Sequence, residues 1–186
     1  MQNTFDLEAL QFPIGRFSCP TDIRREDLEH WKTSLREFPA QLNAVLQPLT
    51  PAQLNWHYRP EGWTIKQVVH HLADSHINAF TRLKLTLTED APVIRPYEEA
   101  LWAQLPDGVK DDLTASLKII EGIHERWFYL LNHLTETEWD KMYFHPQHQR
   151  LVGLKEMLGL YDWHGRHHLA HIRQAIFHEG NFNVQP

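Results

Sequence analysis

The chain has 186 residues, 42% apolar and 23% charged, with a net charge of −6 when histidine is neutral. That length and mix suit one domain over residues 1–186 with an ordinary hydrophobic core. The acidic balance argues against nucleic acid as a partner, because phosphate binding wants a basic surface; with no run of 18 apolar residues, no membrane span is expected either.

The start, Met1-Gln2-Asn3-Thr4-Phe5-Asp6, lacks a basic stretch followed by an apolar one, so no signal peptide is expected and the cytoplasm is the expected compartment. Cys19 is alone, which rules out an intrachain disulfide; it reads as an incidental loop cysteine beside Pro20. The first long helix is expected over Asp22–Gln47, with Ile23, Leu28, Trp31, Leu35, Phe38, Leu42, Val45 and Leu46 near the helical period and Pro39 as a point of kinking. Leu49–Leu54 reads as a connector with a short helical turn. After the turn chemistry of Arg59-Pro60-Glu61-Gly62, Thr64 and Gln67 form a capping-box pattern that opens a second helix running to about Thr88. Ala91–Tyr97 is too proline-rich for regular structure. A third helix is expected over Leu113–Leu134, with Asp111 and Asp112 at its positive end. Phe144–Val152 reads as a polar link, and a last helix runs over about Leu154–His178 to a stop at Gly180. No strand pattern, repeat or domain break is evident. Four long helices with moderate loops point to an all-α four-helix bundle, an architecture that builds metal sites from facing helices.

Histidine is the unusual component: there are 14, and they crowd Tyr161-Asp162-Trp163-His164-Gly165-Arg166-His167-His168-Leu169-Ala170-His171. On a 3.6-residue wheel Leu154, Leu158, Tyr161, Gly165, His168, Ile172 and Ala175 form one stripe. His168 lies in it and His164 beside it, at i, i+4, so both rings can reach one ion. His167 lies on the flank and His171 further round. Gly165 would let a neighbouring helix come close. One inward histidine is most simply a hydrogen-bonded core residue. Two at this spacing must each satisfy ring nitrogens, and a shared ion does so for one nitrogen of each.

The second helix offers a third ligand from His70-His71. Both sit on shoulders of the apolar stripe Ile65, Val69, Leu72, Phe80, Leu83 and Leu87, so periodicity does not choose between them. His71 heads a polar row, Ser75, Asn78 and Arg82, which reads as a cavity wall or else as a solvated face; the wall reading favours His71. His76, near the apolar stripe, reads as a structural histidine with a bonded ring. Three imidazoles suit zinc, nickel, iron or cobalt and leave a coordination position free, where a water or a thiol would lose its proton more readily. No second carboxylate is placed by spacing, so a di-metal centre is not expected.

The stretch Tyr58-Arg59-Pro60-Glu61-Gly62-Trp63-Thr64-Ile65-Lys66-Gln67-Val68-Val69-His70-His71-Leu72-Ala73-Asp74-Ser75-His76 resembles the signature of the DinB/YfiT-like proteins. Arg82–Glu89, Ile94-Arg95-Pro96-Tyr97 and Leu158–Ile172 continue the likeness, and Phe12-Pro13-Ile14-Gly15 is similar to the YfiT branch. The resemblance covers nearly the whole chain. It implies an up-down-down-up four-helix bundle, a homodimer, and one divalent ion per chain, zinc or nickel, on His71, His164 and His168. It also implies metal-dependent enzymes: hydrolases, or S-transferases that take a low-molecular-weight thiol, bacillithiol in the YfiT branch.

Three functions follow as expectations. In the first, a thiol S-transferase acting on a small electrophile, Asn78 and Arg82 are candidates to hold the carboxylates of bacillithiol. In the second, a hydrolase, hydroxide formed at the metal attacks an ester or amide, and Asp74, His167 or His171 moves the proton. Asp74 and His167 are the leading catalytic candidates. The third is a non-catalytic, metal-holding stress protein.

Overall fold

The computed structural model describes residues 6–182; the segment read above for a signal peptide, up to Phe5, and the tail from Asn183 lie outside them. The elements run α1 (Leu7–Gln11), α2 (Arg25–Leu46), a 3₁₀ turn (Gln53–Asn55), α3 (Ile65–Thr88), α4 (Glu99–Trp102), α5 (Thr114–Leu131), α6 (Glu136–Trp139), β1 (Met142–His145), β2 (Arg150–Gly153) and α7 (Leu154–Phe177). No helix among the described residues is long and apolar enough to cross a membrane.

The long helices α2, α3, α5 and α7 lie where the apolar periodicity puts them. The capping box at α3 forms as expected: the Thr64 N–H donates to Gln67 Oε1 at 3.0 Å, and the Gln67 N–H to Thr64 Oγ1 at 3.4 Å. The third helix stops three residues short, because Thr135 and Glu138 form a second capping box that starts α6. α2 continues through Pro39.

The direction of each helix follows from which residues meet. Along α3 and α7 the partners run oppositely: His71 faces His164, and Ser75 faces Tyr161. α2 and α5 are also antiparallel, pairing Leu35 with His124 and Lys32 with Asn132. α3 and α5 are parallel, pairing His70 with Ser116 and His76 with His124. α2 and α7 are parallel too, with Trp31 against Gly159 and Phe38 against Gly165. The result is up-down-down-up. α2 and α3 each pack on both α5 and α7, so the two consecutive helices face each other across the diagonal. Because α3 and α5 are parallel, residues 89–113 must return along the bundle, and they form one wall of the site described below.

Two findings depart from the expectation. A short helix, α1, precedes the bundle, capped by Asp6, whose Oδ1 accepts from the Glu8 N–H at 2.9 Å. Phe144–Val152 is not a simple polar link: β1 and β2 form an antiparallel hairpin with Tyr143 opposite Val152, and the Ile94 N–H donates to the Phe144 carbonyl at 3.1 Å. Strands of four residues are too short to show alternation, and their third partner is some fifty residues away in the proline-rich segment.

The core is in two parts. One gathers Trp31, Leu83, Trp127, Leu154 and Leu158; the other Phe38, Leu42, Val69, Leu72 and Ile172. His76 and His124 lie between them, both fully or nearly fully buried. Phe38 stacks over them at 5.7 and 5.3 Å, and Trp127 meets both edge-on at 6.2 Å.

Glycines on α7 set the approach of α2. A Cβ on Gly159 would lie 2.9 Å from Trp31 Cη2, whereas one on Gly122 in α5 would meet nothing within 4 Å. Gly→Ala gains up to about 1 kcal/mol in helix propensity, while overpacking costs about 1–3 kcal/mol. Gly122→Ala is therefore expected to raise stability in urea unfolding by about 0.5–1 kcal/mol. Gly159→Ala is expected to lower it, because the indole is held inside the core.

Candidate metal centre

The start of α3 fixed by Thr64 puts His71 on its second turn, facing α7. The antiparallel α7 brings His164 and His168 to the same level. His71 Nε2 and His164 Nε2 are 3.4 Å apart. The ring centroids are separated by 5.4 Å (His71–His164), 4.8 Å (His71–His168) and 4.5 Å (His164–His168). One nitrogen from each lies within 4.8 Å of the others. His71 and His168 are buried and His164 is partly so.

Burial dominates the charge state. Desolvation, helped by the ring of His167, holds His71 down to about 4; desolvation and then the neighbouring imidazoles hold His164 and His168 well below the usual histidine range. At neutral pH all three rings are uncharged, as a ligand must be. Three converging neutral imidazoles with no carboxylate among them fit a borderline divalent cation with an open position.

The three histidines line a cavity of about 880 Å³, within the range of small-molecule sites. Trp63 walls it beside His71, ring centroids 4.7 Å apart. Residues 96–100 and the β-hairpin close other sides, and Phe12 and Phe17 from the N-terminal segment contribute as well.

The structure places the other sequence candidates unequally. Arg82 lines the cavity, donates to the Arg95 carbonyl at 3.4 Å, and makes no close ion pair among the described residues, although its charge acts on the Glu99 carboxyl in the same lining. His167 also lines it, stacked on Trp163 at 4.4 Å, with Nδ1 buried and unpartnered; desolvation holds it down to about 4. Together with His168 and His171 it forms a second cluster of close ring nitrogens. Asn78 instead faces a neighbouring groove beside Tyr97 and Trp102 and donates to the Asp74 carbonyl at 2.9 Å. Asp74 does not line the cavity. Its half-buried carboxyl is raised first by desolvation and then by Asp107, under the returning connector.

The structure places His70 and His71 on different sides of α3. His70 turns to α5, with Nδ1 2.8 Å from Ser116 Oγ and Nε2 2.8 Å from the Lys110 carbonyl. It ties the connector to the bundle. His76 has the bonded ring expected of it, 2.6 Å from His124. Sequence reading missed Arg59, which lines the cavity with Nε buried and unpartnered, and Arg150, which is clamped there by both oxygens of Glu156. Both lie outside the long helices, where no periodicity marks them.

An up-down-down-up bundle with a histidine triad opening on a cavity defines a class of metal-binding helical proteins. The sequence pattern of the DinB superfamily matches residues 34–172, and the chain belongs to that superfamily. It is 45% identical to a candidate metal-dependent hydrolase of Bacillus pumilus (strain SAFR-032), over 91% of this chain and 97% of that one. It is 42% identical to YfiT of Bacillus subtilis (strain 168), also named as a candidate metal-dependent hydrolase, over 89% and 93%. The solved structure of Bacillus subtilis YfiT, described as a probable metal-dependent hydrolase with an unusual four-helix bundle topology, superposes with a TM-score of 0.89 at 41% identity, covering 92% of this chain and 98% of that one. A mycothiol-dependent maleylpyruvate isomerase shares the fold at a TM-score of 0.63 and 19% identity, over 78% and 60%.

Proposed function

We propose that this chain is an enzyme that holds one divalent ion, zinc or nickel, on His71, His164 and His168 and transfers a small carboxylated thiol, bacillithiol being the first to test, to an electrophile. The observation that carries the reading is the pairing of the histidine triad with two cavity arginines, Arg59 and Arg82, neither of them held in a close ion pair among the described residues. In a cavity that Glu98 and Glu99 also line, two guanidinium groups free of any close ion pair among the described residues are suited to grip an anionic ligand. The isomerase of the same fold depends on mycothiol, a likeness of fold alone that makes a thiol the natural first ligand.

The bound ion would supply Lewis-acid chemistry, lowering the pKa of a thiol or water placed beside it. The protein's own part is positional. Arg82 and Arg59 would grip the carboxylates, and Trp63 would exclude water from one side. In the transfer a sulfur–carbon bond forms, the carbon–leaving-group bond breaks, and the leaving group departs with the electron pair. The thiol proton would pass to the ring of His167, which lines the cavity.

The test uses metal-loaded protein, bacillithiol and a chloro-nitrobenzene. Chelator-sensitive thioether formation is expected, and Arg82→Ala should raise the KM for bacillithiol about 10–100-fold, the worth of a hydrogen bond to a charged group. Equal turnover of an uncharged thiol such as 2-mercaptoethanol would count against the arginine role.

Hydrolysis is the second reading, favoured by the names of the relatives. It predicts metal-dependent cleavage of activated esters with no thiol present, in which His167 accepts a proton from water.

A further inference from the structure

Behind the triad lie two chains of hydrogen bonds, each ending on a backbone carbonyl. In the first, His164 Nδ1 is 3.3 Å from His76 Nε2, His76 Nδ1 is 2.6 Å from His124 Nε2, and His124 Nδ1 is 2.6 Å from the Leu35 carbonyl. It passes through all four long helices, from α7 to α3 to α5 to α2. In the second, His168 Nδ1 is 3.3 Å from His171 Nδ1, and His171 Nε2 is 3.1 Å from the carbonyl of Gln11 at the end of α1.

A carbonyl only accepts, so each chain has a direction. His124 Nδ1 must carry its hydrogen. A neutral imidazole has only one, so His124 Nε2 accepts, and His76 Nδ1 donates to it. The same step repeated makes His76 Nε2 accept from the His164 Nδ1–H. The lone pair of His164 is then on Nε2, the nitrogen facing His71. In the second chain His171 donates through Nε2 to Gln11 and accepts through Nδ1 from His168, which leaves the lone pair of His168 on Nε2.

The anchor on α2 has a cause in the sequence. Pro39 has no N–H, so the carbonyl four residues back, Leu35, receives no helical hydrogen bond from it. That buried carbonyl needs a donor, and His124 supplies one. The proline read as a kink point instead leaves an acceptor exposed inside the core.

We propose that these two relays set the ring tautomers of His164 and His168, so that both Nε2 lone pairs are free for an ion before it arrives, with His76, His124 and His171 as positioning residues. Partners behind a ligating histidine fix its tautomer and orientation in this way. What is unusual here is the length of the first relay: His124 touches neither the triad nor the cavity. The inference rests on the metal reading for its purpose, but the tautomers themselves can be measured without metal.

The experiment is a two-bond proton–nitrogen correlation spectrum of the metal-free full chain, labelled with ¹⁵N-histidine, at neutral pH. Nδ1–H forms are expected for His76, His124, His164 and His168, and an Nε2–H form for His171. An Nε2–H form at His164 or His168 overturns the proposal. His124→Phe should release the His164 tautomer and lower zinc affinity about 10–100-fold, measured by competition with a chromophoric chelator. An unchanged His164 tautomer with unchanged affinity also overturns it. If that variant does not fold, the wild-type spectrum decides alone. Wild-type protein that shows the assigned tautomers yet binds no zinc or nickel would sink the metal reading and leave the relays standing.

Discussion

His71→Ala is expected to lose about 10²–10³-fold in zinc affinity while keeping its fold, and the neighbouring variant His70→Ala to do the reverse. A zinc site held by four ligands yields about 10–16 kcal/mol, so one lost imidazole removes roughly a quarter, about 3–4 kcal/mol. Among the described residues His71 makes its one hydrogen-bond-range contact toward His164, so its removal strands no strongly bonded partner in the apo fold. His70 bonds both Ser116 and the Lys110 carbonyl, and its removal leaves the buried Ser116 hydroxyl unpaired and frees the connector, a cost of about 1–3 kcal/mol. Calorimetric zinc titration and urea unfolding of the two variants check this directly. If His70→Ala lost the metal and His71→Ala kept it, the triad would be wrong.

Metal-free protein is expected to unfold on mild acidification, with its transition between about pH 6 and pH 4. Burial holds His71, His124 and His167 at about 4, His171 at about 3, and His76, His164 and His168 well below the ordinary value. In the unfolded chain these rings take up protons near pH 6.5, while the native rings stay neutral until about 4. Within that window the unfolded state binds more protons, so stability falls as pH falls and is fully restored above about 6.5. For the buried ring of His124 alone the difference is on the order of 3 kcal/mol. Several such rings together match the whole stability of an ordinary domain, about 5–15 kcal/mol. Circular dichroism against pH checks the transition, and saturating zinc should move it to lower pH by binding only the native rings. A flat profile down to pH 4 would mean that the rings are hydrated or already charged in the folded protein.

The long helices were legible because each needs an apolar stripe, and a stripe is a local property of sequence. The spacing of His164 and His168 is local in the same sense, as is the capping box that sets where α3 begins. The hairpin, α1 and two of the cavity arginines, Arg59 and Arg150, were not legible. They rest on contacts between distant segments, such as Ile94 with Phe144 and His171 with Gln11, which leave no periodic trace.

By itself, then, the sequence determined four amphipathic helices, two candidate ligands one turn apart, and a third candidate confined to two adjacent positions. Tertiary structure alone decided that His70 ties down a connector while His71 meets α7, because that depends on which helix lies opposite each face. It also decided what His124 and Pro39 do. A histidine in one helix and a missing N–H in another mean nothing in sequence until packing puts the ring 2.6 Å from the carbonyl of Leu35, which the proline leaves unpaired.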